Sequence, residues 1–356
     1  VSGKLPRTIF SASGTVRTEG TPDINLRIAA THLDLEELLP LVAPSRTTDA
    51  GKKQQPPAPF RLQASVTAET GTFRGTSFNK LSASLKNEEG ILKLQKLTTG
   101  ILGGKLALNG QLARTAGQAP KWDLSLLLEQ ARAGELLQLL NIGKEIRGLT
   151  TVKGRLSASG DHLDEIKKTA NGAITLKVER GALKRFNTLS KVISILNVSQ
   201  LLSFSLPDMA RDGMPFNQIT ASIGIKNGIL TTQDFFIDSN VMHVTTVGTI
   251  DIVKETLDML IGVQPLQTVD RIVSRIPVVG WILSGGDGSL VTTYFEAKGS
   301  WENPEVTAIP VKTMAKGTLD IFRRVFELPV RLFTDSGEVI LGNQKERPKA
   351  GEAPTQ

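Results

Sequence analysis

The sequence contains no cysteine. That excludes disulfides, thiolate metal sites and cysteine nucleophiles, and leaves the redox compartment open. Aromatic residues make up only 5 % of the chain, so small aliphatic side chains must do most of the burying. Histidine is as scarce: His32, His162 and His243 are the only three, and none has metal-ligand spacing with another histidine or a carboxylate pair. Long apolar stretches are also missing. The longest uninterrupted one is Ile276–Leu283, Gly280 included, well below the ~20 residues of a spanning helix. No signal peptide opens the sequence, which starts at Val1 within a strand-like pattern. The expectation is a piece of a longer protein whose anchor or signal lies outside this chain.

What is present has a basic balance, with a formal net charge of +7. That favours acidic partners, either nucleic acid or anionic headgroups. The lysines and arginines are scattered without aromatic platforms between them, which argues against nucleic acid. A mean hydropathy of −0.05 fits neither a disordered chain nor a membrane bundle.

Period-2 alternation dominates. Phe60, Leu62, Ala64, Val66 and Ala68 alternate with Arg61, Gln63, Ser65 and Thr67. The same pattern places Leu106, Leu108 and Leu112 on one face, then Trp122, Leu124, Leu126 and Leu128. It recurs at Ile174/Leu176/Val178, at Ile219/Ile223 and at Met242/Val244. Each run is a strand with one apolar and one polar face. Turns are expected at Gly71, Asn87–Gly90, Gly103–Gly104 and Asn227–Gly228.

Two stretches, 78–112 and 216–250, align without a gap at an offset of 138 residues, from Phe78 on Phe216 to Leu112 on Ile250. Leu81 falls on Ile219 and Leu85 on Ile223. A second likeness relates 14–42 to 110–141, both reading strand, turn, strand, short amphipathic helix. Self-similarity of this kind predicts a stack of supersecondary units. The expected fold is mostly β: an elongated antiparallel repeat sheet of roughly 16 strands, curled into a taco-like groove and flanked by a few amphipathic helices. Its divisions are a partial β repeat over 1–43, a flexible Pro-rich loop over 44–59, groove repeats over 60–310, an amphipathic helix over 311–333 and a disordered tail over 334–356.

Catalytic constellations are weak. Ser77-Phe78-Asn79-Lys80 fits the S-x-x-K nucleophile pattern, yet its repeat partner carries Pro215 and Gln218 in place of Ser77 and Lys80, so the position belongs to the repeat framework. Gly285–Gly288 lacks the strand–turn–helix setting of a phosphate loop. No enzyme, cofactor or metal is expected.

An alternating sheet is ordinarily half of a sandwich, but here the repeats supply sheet after sheet with few covering elements. A long apolar face needs a cover, and acyl chains suit a wall of Leu, Ile, Val and Ala. The expected lipid-facing set is Phe60, Leu62, Val66, Leu81, Leu85, Leu106, Leu108, Leu112, Trp122, Leu124, Leu126, Leu128, Ile174, Leu176, Val178, Ile219, Ile223, Met242 and Val244. In the 311–333 helix, Leu319, Phe322 and Phe326 beside Arg323 and Arg324 read as an interfacial membrane helix, since the segment follows the last strand and need not cap the sheet. The competing reading is a structural or assembly factor that contacts a protein partner through its sheet edges over a dry, self-filled core.

The run MPFNQITASIGIKNGILTTQDFFIDSNVMHVTTVGTIDIVKETLDMLIGVQPL (214–266) resembles the C-terminal domain of the AsmA-like family. So do segment 271–283 and YFEAKGSWENPEVTAIPV (294–311), with its Gly-Ser-Trp-x-x-Pro element. The resemblance covers 170–315 well and reaches 60–141 through the repeat. It implies an envelope protein of Gram-negative bacteria with an N-terminal inner-membrane helix, absent from this chain, and a periplasmic β-rich groove. It further implies phospholipid movement between inner and outer membrane in support of outer-membrane integrity, as in bridge-like lipid transfer proteins.

Overall fold

A computed structural model describes residues 2–37, 60–88, 90–115, 117–141, 146–184, 213–240, 242–266 and 292–327. They form one long, open, curved sheet of 16 strands in which every strand lies beside its sequence neighbours. The first three are β1 (Ser2–Lys4), β2 (Ile9–Arg17) and β3 (Asp23–Asp34). Next come β4 (Arg61–Phe73), β5 (Thr76–Glu88), β6 (Ile91–Ile101), β7 (Gly104–Ala113) and β8 (Lys121–Arg132). Helix α1 (Ala133–Leu139) leads to β9 (Ile146–Ser159), and α2 (Leu163–Thr169) leads to β10 (Asn171–Leu183). The C-terminal strands are β11 (Met214–Lys226), β12 (Ile229–Asp238), β13 (Met242–Asp251), β14 (Thr256–Pro265), β15 (Thr293–Ser300) and β16 (Glu305–Ile309), followed by α3 (Lys316–Glu327). Fifteen steps of about 4.8 Å make the sheet roughly 70 Å long.

Tight hairpins build most of the meander. At Arg74–Gly75, Leu102–Gly103 and Asn227–Gly228 both central residues have positive φ, the geometry whose twist matches that of paired strands. Gly71, expected in a turn, instead lies inside β4 opposite Phe78. A second departure is topological. β3 and β4 run parallel, Asp23 beside Arg61 and Asp34 beside Thr72, whereas an antiparallel sheet was expected throughout. A parallel pair needs a crossover rather than a hairpin, and the connection from Leu35 to Phe60, which contains the Pro-rich stretch 44–59, supplies it; most of that connection lies outside the described residues.

The internal repeat is a structural one. Thr76, Ile91 and Gly104 open β5, β6 and β7; Met214, Ile229 and Met242, each 138 residues later, open β11, β12 and β13. Even the irregularities correspond: the register slips between Leu94 and Leu97 in one copy, and between Thr232 and Phe235 in the other. At Gly248 (φ +152°) a Cβ would run into the backbone of Asp258 and Met259. A strand that lacks a side chain there lets its neighbour close in and bends the sheet towards that face.

Two buried clusters lie on the apolar face. Ala30, Leu33, Phe78, Leu81, Leu128 and Ala131 anchor the N-terminal one; Val178, Phe216, Ile219, Val244, Val263 and Phe295 anchor the C-terminal one. Helix α1 joins both, with Leu136 and Leu139 on the first and Ala133 and Leu137 on the second.

Helix α3 departs from expectation. It lies on the opposite face, where Phe236, Thr245, Gly262 and Tyr294 form one register row across β12–β15. Phe322 is fully buried, its ring 5.1 Å from that of Tyr294 and against Gly262. Phe326 stands edge-on to Phe236 at 6.4 Å. The segment therefore does cap the sheet, and its apolar stripe faces protein, because β12–β15 carry apolar residues at both parities. Within 311–333 the described structure is a short 3₁₀ turn, Val311–Thr313, and then α3; 328–333 and the tail 334–356 lie outside the described residues.

The apolar face as candidate functional site

Register connects the apolar residues across the whole sheet. One row runs Ala12, Ile28, Val66, Ala83, Leu97, Leu108, Leu126, Gly154, Ile174, Ile223, Thr232, Gly248, Met259, Ala297, Val306, each paired with the next, from β2 to β16. The row beside it runs Gly14, Leu26, Ala64, Leu85, Leu94, Gly110, Leu124, Leu156, Gly172, Ile225, Leu230, Ile250, Leu257, Gly299. Together they carry one polar side chain, Thr232.

Burial falls from one strand end to the other. In β8, Leu128 is 4 % exposed while Trp122, six residues away on the same face, is 39 % exposed. Leu81, Leu128, Val178, Ile219, Met242 and Val244, all expected to face lipid, are fully buried and belong to the cores. Leu62, Val66, Leu85, Leu106, Leu108, Leu112, Leu124, Leu126, Ile174, Leu176 and Ile223 are half-buried on the same face. Phe60 stands just ahead of β4, its carbonyl accepting a 2.9 Å bond from Asn87 Nδ2. Trp122 closes the exposed rim, its indole Nε1 donating to Gly160 O at 2.9 Å. Missed in the sequence were Leu94, Leu156, Leu230, Ile250 and Leu257, which share the parity and whose signal was the same alternation.

On the C-terminal half the face deepens into an apolar cavity of about 340 Å³, walled by α1 and strands β9–β14. Two hydroxyls in its wall are already engaged: Thr150 Oγ1 donates to Lys177 O at 3.3 Å, and Thr232 Oγ1 to Asp234 Oδ1 at 3.3 Å.

Among the described residues the titratable groups form no reactive set. His32 Nδ1 lies 3.1 Å from Thr70 Oγ1, and His243 Nε2 lies 3.2 Å from Asp238 Oδ1. Among the described residues no three His, Asp or Glu side chains come together as a metal site. Ser77 and Lys80 are exposed, Lys80 at a register slip with φ +51°; Gly285–Gly288 lies outside the described residues. The perturbed carboxyls sit at surface contacts: a Lys86 hydrogen bond holds Glu88 below its ordinary range, and one from Lys177 does the same for Glu179. Burial raises the Tyr294 phenol, consistent with its place beneath α3.

In α3, Arg323 and Arg324 are exposed, Leu319 and Phe326 half-buried and Phe322 buried. Among the described residues no helix is long and apolar enough to cross a membrane.

The family model described as YhdP protein matches residues 64–306. Among curated proteins the chain is similar to Protein AsmA of Escherichia coli (strain K12), with 19 % identity over 273 residues. The alignment takes in 70 % of this chain and 43 % of AsmA, so the chain spans less than half of that relative's length. No solved structure matches.

Proposed function

Because this chain belongs to the YhdP protein family, we propose that its apolar face binds the acyl chains of phospholipids and lets them move along the sheet without chemical change. The carrying observation is the pair of unbroken rows, one from β2 to β16 and the other from β2 to β15, which offer hydrocarbon a continuous path with one polar side chain in it. Contact with hydrocarbon needs no directional bonds and is proportional to area, so continuity rather than any single residue carries the activity. Headgroups stay at the exposed strand ends, in water. The family membership and the resemblance to AsmA support a place in the cell envelope. In this reading the parent protein is held at the inner membrane, works in the periplasm and supplies phospholipid towards the outer membrane. It is a carrier and not an enzyme.

Detergent-free protein examined by native mass spectrometry and lipid extraction tests this. The expected result is co-purifying phospholipid that is lost in Leu126→Asp or Leu106→Asp, on the apolar face, and kept in Lys121→Glu, on the polar face. Equal loss in folded variants of both kinds sinks the reading.

One observation favours a second reading. Six of the expected lipid-facing residues are buried by protein, as a structural or assembly factor for outer-membrane proteins would have them. That reading expects a clean apo mass and a protein partner in crosslinking.

A further inference from the structure

We propose that the cavity beside α1 and the turns at its open end together form one discrete site for an anionic single-chain amphiphile. The end of an acyl chain occupies the cavity and a phosphate-bearing headgroup lies on a lysine-lined rim. This rests on the lipid-binding reading above and goes beyond it by assigning a place, a depth and a charge preference.

The rim is a built platform. Three turns on adjacent strands are tied together by backbone bonds: Gly228 N donates to Ala170 O and Ile252 N to Gly228 O, each at 3.0 Å. Asn227 N donates to Asn171 Oδ1 at 3.2 Å, bracing the same junction. Those turns carry Lys167 and Lys168 in the last turn of α2, Lys226 before the β11–β12 turn and Lys254 between β13 and β14. The acidic residues of α2, Asp164 and Glu165, are in its first turn, away from the junction. Asp251 accepts from the amides of Val253 and Lys254 at 2.9 Å each and lies 3.5 Å from Lys254 Nζ. Lys254 is therefore largely balanced, Glu255 adds one exposed negative charge, and Lys226, next to Ile225 of the apolar row, has the parity of the opposite face, so the excess positive charge comes from Lys167 and Lys168.

Below the rim the wall turns apolar at once. Ile250, next to Asp251, lines the cavity, which continues along β13 to Val244. Six residues of strand make about 20 Å, a depth suited to one extended acyl chain. Leu137 on α1 forms one side, with Val178, Ile219, Phe235 and Met259 on the sheet. Four threonines line the wall, Thr150, Thr231, Thr232 and Thr246, of which Thr150 and Thr232 are hydrogen-bonded elsewhere; the rest of the wall is aliphatic and aromatic, and a desolvated headgroup there would lose most of its water bonds without replacement. A hydrocarbon chain meets no such cost. Helix α1, standing between the two buried clusters, also blocks the way to the N-terminal half at this depth, so a chain end seated here is held at a stop.

The test titrates lysophosphatidylglycerol and lysophosphatidylcholine of equal chain length onto the detergent-free chain, and adds a lysophosphatidylglycerol with a photoreactive diazirine at its terminal carbon. The anionic lipid is expected to bind about fivefold more tightly, the effect of roughly one extra favourable charge contact. Terminal cross-links should fall on Leu137, Val178, Ile219 and Phe235. Lys167→Glu with Lys168→Glu should erase the headgroup preference and leave the neutral lipid's affinity unchanged. Leu137→Trp, which fills the cavity, should weaken long-chain binding on the order of tenfold by excluding two or more methylenes, with a shorter chain less affected. Bound lipid whose terminal cross-links spread over β4–β9, or a preference indifferent to the rim charges, overturns the site while leaving the wider lipid reading standing. No binding of either lipid overturns both.

Discussion

Phe216 on β11 lies directly over Gly181 of β10, its register partner, in a space that a Cβ on Gly181 would occupy. The equivalent residue of the other repeat, Phe78, sits over Gly71 of β4 in the same way. Each buried ring is thus seated on a glycine of the strand before it, and the pairing is a property of the repeat. A Cβ on Gly181 would also meet the Arg147 carbonyl oxygen of β9, so Gly181→Val should displace the ladder between β9 and β10 as well as the ring and cost about 3 kcal/mol or more, the upper end of overpacking. Phe216→Ala should cost about 3–5 kcal/mol through the cavity left behind. Denaturant midpoints measured side by side check both, and a neutral Gly181→Val would show that the seat is not tight.

The docking of α3 has a clean reporter, because Tyr294 is the only tyrosine in the chain. Phe322→Ala removes the ring buried between Tyr294 and Gly262 and should weaken docking by about 3–5 kcal/mol. Absorbance titration of the phenol should then move down towards its ordinary value, since burial is the main cause of its rise. Trypsin should cut more readily after Arg323 and Arg324. An unchanged titration would mean that something other than α3 covers the tyrosine.

Asp34, 2 % exposed, lies 3.0 Å from the Arg7 guanidinium. It accepts the Glu36 amide at 2.9 Å where the chain turns helical after β3. Arg7 is largely exposed, so the ion pair itself is screened and the capping bond carries more of the effect. Asp34→Ala should cost about 2 kcal/mol, and Asp34→Asn, which retains the cap, clearly less. Equal losses would assign the effect to the charge instead.

Asp251 gives a pH dependence. The Lys254 and Val253 amides and the Lys254 side chain hold its carboxyl below the usual range, the Lys254 amide most strongly. A carboxyl depressed in the folded state stabilises fully above its ordinary value, and that stabilisation disappears as the pH falls through the folded value. Asp251→Asn should therefore lower the melting temperature at neutral pH and match the parent in strong acid. A difference that persists undiminished in acid would place the cause elsewhere.

Much of this fold is legible because alternation reports faces and the 138-residue offset reports recurrence. Leu126, Ile174 and Ile223 share a face because register links them in one row through Gly154, and each lies in a run of the same alternation. Alternation cannot report strand direction, which is why the parallel step escaped it; the long gap from Leu35 to Phe60, too long for a hairpin, was the available signal. The position of α3 was hidden because its contacts, Phe236, Gly262 and Tyr294, are distant in sequence. The pairs Phe235–Phe236 and Tyr294–Phe295 break the alternation, however, and a strand apolar at both parities is one covered on both sides. Which of the apolar-face residues are core and which half-exposed depends on what lies over each strand end, and no single strand's sequence contains that.

The parallel seam between β3 and β4 bears on how the molecule assembles. Most neighbouring strands can zip up from local turns, whereas this pair must close a loop of 38 residues, from Asp23 to Arg61, before its first ladder bond forms; β10–β11 and β14–β15 likewise close from Leu183 to Met214 and from Val263 to Thr293. Such closure is slow relative to hairpin formation. Strands β1–β3 should thus join late during refolding, and their amides should exchange with solvent before those of β4–β8, which short connections join. The sheet is one continuous surface in space, yet in time it is several pieces joined at late sutures, of which this one spans the longest gap.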